Sequence, residues 1–244
     1  MGRLTEAVKH ILIINVILFF ATQLYGDQMY QWMSLWFPKN SNFEWWQVVT
    51  HMFMHGNFMH ILFNMYALWA FGTPLERIWG KNKFIFFYFS AGLGSAALHT
   101  GVNYFLFNEG MSALEGAGIA RTQILDILAN GQYSPGWYDI VGKSTVDSML
   151  TAFNTPAVGA SGAIYGILVA FAFMYSEAKL MLIFLPVPIK AKYFVPILIA
   201  VDLIFGIGNV NTGVAHFAHI GGALIGFIMM WYWKKNQFNS NRWD

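Results

Sequence analysis

Two glycine-rich segments contain side chains that are suited to nucleophilic chemistry. The segment GASGAIYG places Ser161 between Gly159, an alanine and Gly162, and Tyr165 follows one helical turn later. The segment AHIGGALIG contains His219 near its start. A serine hydroxyl becomes an effective nucleophile when a neighbouring histidine accepts its proton. The two segments therefore predict a nucleophile and a base on separate parts of the chain.

The glycines of these segments indicate how the two parts would meet. Gly162 is followed by Gly166, and Gly222 is followed by Gly226, so each segment carries a G-x-x-x-G motif. Such motifs let two apolar helices approach closely. Close approach is what a serine and a histidine on different helices need to reach hydrogen-bond distance. The small neighbours of the serine would also leave room for a substrate backbone.

A third polar segment, HMFMHGNFMHILFN, contributes three histidines and an asparagine. His60 and Asn64 are one helical turn apart, so they can direct two N–H donors at one point, as a developing oxyanion requires. The alternative is that they form hydrogen bonds between packed helices. His51 and His55 have the i, i+4 spacing of some zinc sites, but no glutamate lies between them. We expect structural hydrogen bonding there, and neither a metal nor a cofactor.

Composition places these segments in a membrane protein. The chain has 244 residues, of which 57% are hydrophobic and only 11% are charged, whereas soluble domains carry roughly 25% charged residues. A net charge of +2 does not favour nucleic-acid binding. The absence of cysteine excludes disulfides, thiolate metal sites and cysteine nucleophiles. We expect a single polytopic membrane domain over residues 1–244.

Apolar runs of about 20 residues predict membrane-spanning helices. We predict an all-α bundle with six transmembrane helices at about 9–25, 48–71, 84–107, 157–175, 193–208 and 214–233. The first could instead be a signal peptide, but no A-x-A-like cleavage site follows it, which favours an uncleaved anchor. With a cytoplasmic N-terminus, eleven of the 14 Lys and Arg residues fall on the cytoplasmic side. This bias agrees with the positive-inside rule and predicts two cytoplasmic termini.

A long segment at 108–156 is expected outside the membrane on the outer face. It contains five acidic and two basic residues, which gives a net charge of −3. Helical spacing with an apolar side predicts a short surface helix at 119–131, lying in the membrane interface. Segments of this length often act as lids or binding elements. An insertion without such a role is the open alternative.

The three segments together resemble the rhomboid family of intramembrane serine proteases over about residues 45–230. The resemblance rests on GASG followed by Tyr165, on AHIGG, and on the histidine-rich segment, in the same order as in the family. It implies that Ser161 is the nucleophile and that His219 is the general base. Tyr165 would pack on the ring of that histidine.

Further expectations follow from the same resemblance. His60 and Asn64 would donate hydrogen bonds to the oxyanion, and His55 would be structural. Substrates would be transmembrane proteins, cut where a helix unwinds near its outer end. Which lipid bilayer holds the protein stays open, although a short, cysteine-free chain with no transit peptide fits a bacterial inner membrane, with the site open to its outer face. Many relatives carry Trp-Arg in the first outer loop, where this chain has Trp46 and Gln47. We therefore expect no arginine-dependent role for that loop.

The carboxylates and remaining histidines support a dyad rather than a triad. No carboxylate falls in the outer halves of the fourth and sixth predicted spans, so a catalytic dyad is more natural than a triad. Asp202, the only acid inside a predicted span, is expected to be a buried structural group that is partnered or protonated. His216 is not expected to be the base, because it lacks the glycines at +3 and +7 that follow His219.

Two other functions remain open from the sequence. One is a catalytically silent relative that binds membrane clients, although such proteins usually lack the serine or the histidine. The other is a proton-linked transporter with a path through His55, His60, His99 and Asp202. The transporter predicts loss of function from Asp202→Asn and none from Ser161→Ala. Neither the substrate nor the oligomeric state can be read from the sequence.

Overall fold

The computed structural model describes residues 4–182, 185–208 and 213–236, and these residues are mainly helical. The helices are α1 (Glu6–Tyr25), α2 (Asp27–Met33), α3 (Gln47–Thr50), α4 (Phe58–Ala67), α5 (Thr73–Trp79), α6 (Lys81–Gly116), α7 (Arg121–Ala129), α8 (Gly136–Val141), α9 (Lys143–Asn154), α10 (Ser161–Met174), α11 (Ala191–Ile207) and α12 (His216–Asn236). A 3₁₀ turn (His51–Phe53) follows α3, and a π-helical turn (Leu68–Gly72) joins α4 to α5. Two strands, β1 (Lys179–Leu182) and β2 (Leu185–Lys190), lie between α10 and α11.

Helix length and hydropathy agree with a membrane protein. Within the described ranges, α1 with 20 residues and α6 with 36 are each long and apolar enough to cross a membrane. The shorter helix α10 is also strongly apolar. At 1.5 Å per residue α6 is about 54 Å long, so one end must project beyond a hydrocarbon core of roughly 30 Å. The count of six spans and the cytoplasmic position of both termini stay predictions.

The second predicted span is wrong in its boundaries. The chain leaves helical geometry at Met54, which is extended, and α4 begins only after Asn57. The Asn57 side chain accepts the N–H of His60 at 2.9 Å and so caps the new helix. From there α4, the π-helical turn and α5 continue to Trp79. Gly80, at φ 77°, alone separates α5 from α6, where a longer loop was expected.

The expectation of an all-α fold is also wrong at one place. The strands β1 and β2 form an antiparallel hairpin in which Lys179 pairs with Lys190. The segment is too short and too rich in proline and β-branched residues to continue either flanking helix. Glu177 binds Lys190 at 2.6 Å and Lys192 at 2.5 Å. These hydrogen bonds lower the pKa of Glu177 to about 2.

Helix α10 lies at the centre of the main core. Its buried residues occupy all sides of the helix, as expected for a segment enclosed by other helices. Helices α6 and α12 pack against it. A Cβ added to Gly222 of α12 would lie 1.8 Å from the carbonyl oxygen of Gly162, and one added to Gly226 would lie 2.6 Å from Cα of Gly166. The two G-x-x-x-G motifs therefore bring the backbones of α10 and α12 into direct contact.

The segment at 108–156 forms a folded unit rather than a loop. Its first residues extend α6, and α7, α8 and α9 form a three-helix cap with a core of its own. The predicted surface helix corresponds to α7, but Ile124 and Leu128 on its apolar side are buried against protein, not exposed to lipid. Fully or nearly fully buried residues of this core are Phe37, Phe107, Met111, Leu114, Ile124, Leu128, Trp137, Val146, Met149, Ala152 and Phe153.

A buried carboxylate joins α1 to α5. Glu76 is 4% exposed, and its two oxygens accept the backbone N–H groups of Ala7 at 2.7 Å and Val8 at 2.9 Å. These donors belong to the first turn of α1, where N–H groups lack partners within the helix and a negative charge is favourable.

Substitution Glu76→Gln is expected to lower the free energy of unfolding by about 1–3 kcal/mol, because an uncharged amide offers only one acceptor oxygen to two buried donors. Thermal unfolding of the detergent-purified variant would measure this loss. Glu44→Gln is the matched control, since its side chain is exposed. Equal unfolding temperatures for the two variants would show that the Glu76 contacts contribute nothing.

Candidate active site

Ser161 and His219 are in direct contact. His219 Nε2 lies 2.9 Å from Ser161 Oγ, within hydrogen-bond distance. Ser161 is the first residue of α10, and His219 lies in the first turn of α12. The contact of the two helices at their glycines, described above, makes this distance possible. With Nε2 unprotonated, the imidazole can accept the hydroxyl proton.

Backbone hydrogen bonds tie the segment before the serine to two neighbouring segments of the chain. Ala157 exchanges two 2.9 Å hydrogen bonds with Leu35, and Gly159 N–H donates to the carbonyl of His51 at 2.9 Å. Gly159 has φ 128°, a conformation that L side chains rarely adopt. Beyond it α10 begins, so N–H groups of its first turn point towards the site without partners in the helix. The positive end of the helix dipole thus lies beside Ser161.

Tyr165 and Asp202 contact the same histidine. The rings of Tyr165 and His219 are stacked, with centroids 4.2 Å apart and 14° between their planes. The Tyr165 hydroxyl donates a hydrogen bond to Oδ2 of Asp202. Oδ1 of Asp202 lies 3.2 Å from Nδ1 of His219 and 2.5 Å from Nδ1 of His216.

A carboxylate therefore contacts His219, which the argument for a dyad did not foresee. Asp202 lies on α11, which packs against both α10 and α12, and the sequence argument considered only the spans that carry the serine and the histidine. The signal was present, because an acid alone in an apolar span points to a nearby partner. Sequence spacing did not show which helix that partner is on.

His60 lies beside the segment that precedes the serine. A Cβ added to Gly159 would lie 2.9 Å from His60 Nε2. The Nδ1 atom of His60 accepts the N–H of Gly56 at 3.4 Å, which places the ring hydrogen on Nε2, the atom that faces the site. Asn64 follows on the next turn, is 7% exposed, and donates one amide hydrogen to the carbonyl of His60 at 3.0 Å. The structure thus brings both predicted donors to the same region.

His51 and His55 are not on one helix, so the i, i+4 geometry assumed for them is wrong. His51 belongs to the 3₁₀ turn, and its Nδ1 lies 2.8 Å from the carbonyl oxygen of Gln47. His55 lies in the non-helical stretch before α4, fully buried. Its ring packs edge-on against His60, with centroids 4.9 Å apart. His55 therefore contacts the site only through His60.

Gln47 holds the loop between α2 and α3 together. It is fully buried, and its Nε2 donates to the carbonyls of Gln31 at 2.9 Å and Asn42 at 2.8 Å. Its Oε1 accepts the N–H of Trp36 at 3.3 Å. A glutamine matches this set of neutral backbone partners, whereas a guanidinium offers no acceptor.

One open cavity of about 1920 Å³ is bordered by the catalytic candidates. Its walls include Ser161 and His219, together with His60 and Asn64. The cap contributes α9, including Asp147, whose pKa is lowered by the hydrogen bond from Lys143. The cavity is large enough for an extended peptide segment, and its mainly apolar lining includes polar side chains around Ser161, which would give water access to the serine.

Comparison with known proteins agrees with this arrangement. The family model for the rhomboid domain matches residues 42–236. The chain is also 29% identical over 210 residues to rhomboid protease AarA of Providencia stuartii. That alignment covers 84% of this chain but only 59% of the relative, so the chain spans less than two thirds of the relative's length. Because the family model matches most of the sequence, the chain belongs to the rhomboid family of integral membrane proteins.

Proposed function

We propose that this protein is a serine-type intramembrane endopeptidase that cleaves transmembrane segments of other membrane proteins. The observation that carries the proposal is the 2.9 Å contact between Ser161 Oγ and His219 Nε2 at the wall of an open cavity. Membership of a family with a curated protease, AarA, supports it. Ser161 has the adjacent base that activates a serine nucleophile.

The reaction follows from the positions of these groups. His219 Nε2 accepts the Ser161 proton as Oγ attacks a peptide carbonyl, and the resulting oxyanion accepts hydrogen bonds from His60 Nε2, the Asn64 amide and N–H groups at the start of α10. The protonated His219 then donates its proton to the leaving amine. A water molecule, deprotonated by the same imidazole, hydrolyses the acyl-enzyme.

The substrate must expose its scissile carbonyl. A helix hides its carbonyls in internal hydrogen bonds, so the segment has to be locally unwound where it meets the cavity. Small residues at the cut and helix-breaking residues beyond it would allow this. The charge distribution supports six spans with both termini in the cytoplasm. With that topology the start of α10 faces the outer side, and a bacterial relative supports a bacterial inner membrane.

Cleavage of a membrane-embedded reporter tests the proposed function. The reporter would have one apolar segment of about 20 residues, with small residues and a proline near its outer end. Wild-type protein in liposomes is expected to cut it, and Ser161→Ala is expected to leave it intact. Mass spectrometry of the products would locate the cut. Equal cleavage by both proteins would contradict the proposal, since the activity would then not depend on Ser161.

A further inference from the structure

We propose that Asp202 is a positioning residue for His219, which makes the site an Asp–His–Ser arrangement across three helices rather than a dyad. This inference rests on the proposed function and deepens it. The imidazole of His219 bridges two groups, with Nε2 at 2.9 Å from Ser161 Oγ and Nδ1 at 3.2 Å from Asp202 Oδ1. The carboxylate and the hydroxyl thus contact opposite nitrogens of one ring.

The contact with Asp202 selects the tautomer that the reaction needs. A carboxylate only accepts hydrogen bonds, so the hydrogen of the neutral ring is held on Nδ1 of His219. Nε2 is then left with its lone pair directed at Ser161. Without the carboxylate, a ring with its hydrogen on Nε2 would compete, and that form cannot accept the serine proton. Asp202 also stabilises the imidazolium that forms during attack.

The carboxylate of Asp202 is itself held in place. It is 5% exposed, and a buried carboxylate requires partners. The Tyr165 hydroxyl donates to Oδ2, and His216 Nδ1 lies 2.5 Å from Oδ1. Tyr165 also stacks on His219, so one tyrosine orients both the carboxylate and the ring. Contacts on both of its oxygens fix the Asp202 carboxylate, so that it can hold the His219 ring in one orientation.

A purely structural role for Asp202 has to be distinguished from this one, because the contact with His216 is the shorter. In that case the aspartate would only accept a hydrogen bond from His216 and so connect α11 to α12. The imidazole in contact with Ser161 Oγ is that of His219, so replacement of His216 separates the two roles. Variant His216→Phe keeps an aromatic ring at this position but has no N–H donor, so it removes the shorter contact and leaves the contact between Asp202 and His219 available.

The test is the rate of covalent labelling of Ser161 by a fluorophosphonate, measured per folded molecule in detergent. Asp202→Asn is expected to lower this rate between about 10²-fold and 10⁴-fold, since the ring loses its carboxylate partner. Asp202→Glu is expected to restore most of it, and His216→Phe, which leaves the hydrogen bond from Tyr165 to Asp202 in place, is expected to lose clearly less than Asp202→Asn. With the reporter substrate, Asp202→Asn is expected to lower kcat with little change in KM.

Two results would overturn the inference without touching the proposed function. One is labelling of Asp202→Asn at the wild-type rate. The other is a loss in Asp202→Asn that is not recovered by Asp202→Glu and is matched in full by His216→Phe. If folded wild-type protein itself fails to label, the proposed function fails first, and the inference fails with it.

Discussion

Replacement of Ser161 by alanine is expected to abolish covalent labelling by a fluorophosphonate probe that labels the wild-type protein. The probe phosphonylates only an activated hydroxyl, and Ser161 Oγ is the hydroxyl that contacts a histidine ring nitrogen at 2.9 Å. His219→Ala removes the base and is expected to lower the labelling rate by about 10³-fold or more. In-gel fluorescence of detergent-purified protein would measure both effects without knowledge of the natural substrate.

Ser144→Ala provides the matched control for that experiment. Ser144 lines the same cavity but belongs to the cap helix α9, away from His219. The control variant is expected to label as the wild type does. Labelling of Ser161→Ala at the control level would mean that another residue reacts. A folded wild type that does not label would instead favour a silent, client-binding relative.

Much of the helical framework could be predicted from the sequence, because long apolar runs have few other stable structures. Helices α1, α6, α10, α11 and α12 all fall on predicted spans. The second span failed because hydropathy alone ignored the break at Gly56 and the capping residue Asn57. Both are local signals for a helix start, and reading them would have moved the boundary to Phe58. The core of the cap depends on contacts distant in sequence, such as Phe37 with Phe153.

The contacts of the candidate site could be predicted where the residues lie on one helix or where a pair of glycine motifs indicates which helices pack together. Ser161 and Tyr165 are a turn apart, and the glycine motifs indicated which helix would approach them. The contact between Asp202 and His219 was not predicted, because the order of the spans and the depth of a residue in the membrane do not show which helices are neighbours in a bundle. Only the packing of α11 against α10 and α12 brings its carboxylate to His219. A polar group in an apolar span thus predicts a partner before it predicts a role.

The substitution Gly222→Ala is expected to damage both stability and activity. The new Cβ would lie 1.8 Å from the carbonyl oxygen and 2.6 Å from the carbonyl carbon of Gly162. Those atoms are helix backbone, so relief requires α10 and α12 to separate by roughly 1.5 Å to reach van der Waals contact. Overpacking of this kind costs about 1–3 kcal/mol or more. The same separation would pull His219 away from Ser161 and break their hydrogen bond.

Gly101→Ala is the matched control, because it makes the same chemical change in helix α6 where a Cβ would meet nothing within 4 Å. Alanine loses less backbone entropy on folding than glycine does, so that variant should be equally stable or more stable by up to about 1 kcal/mol. Thermal unfolding and fluorophosphonate labelling of the two variants would be compared. Gly222→Ala should unfold at lower temperature, and its folded fraction should label more slowly. If the two variants have the same unfolding temperature and the same labelling rate, close backbone contact between α10 and α12 is not what brings the histidine to the serine.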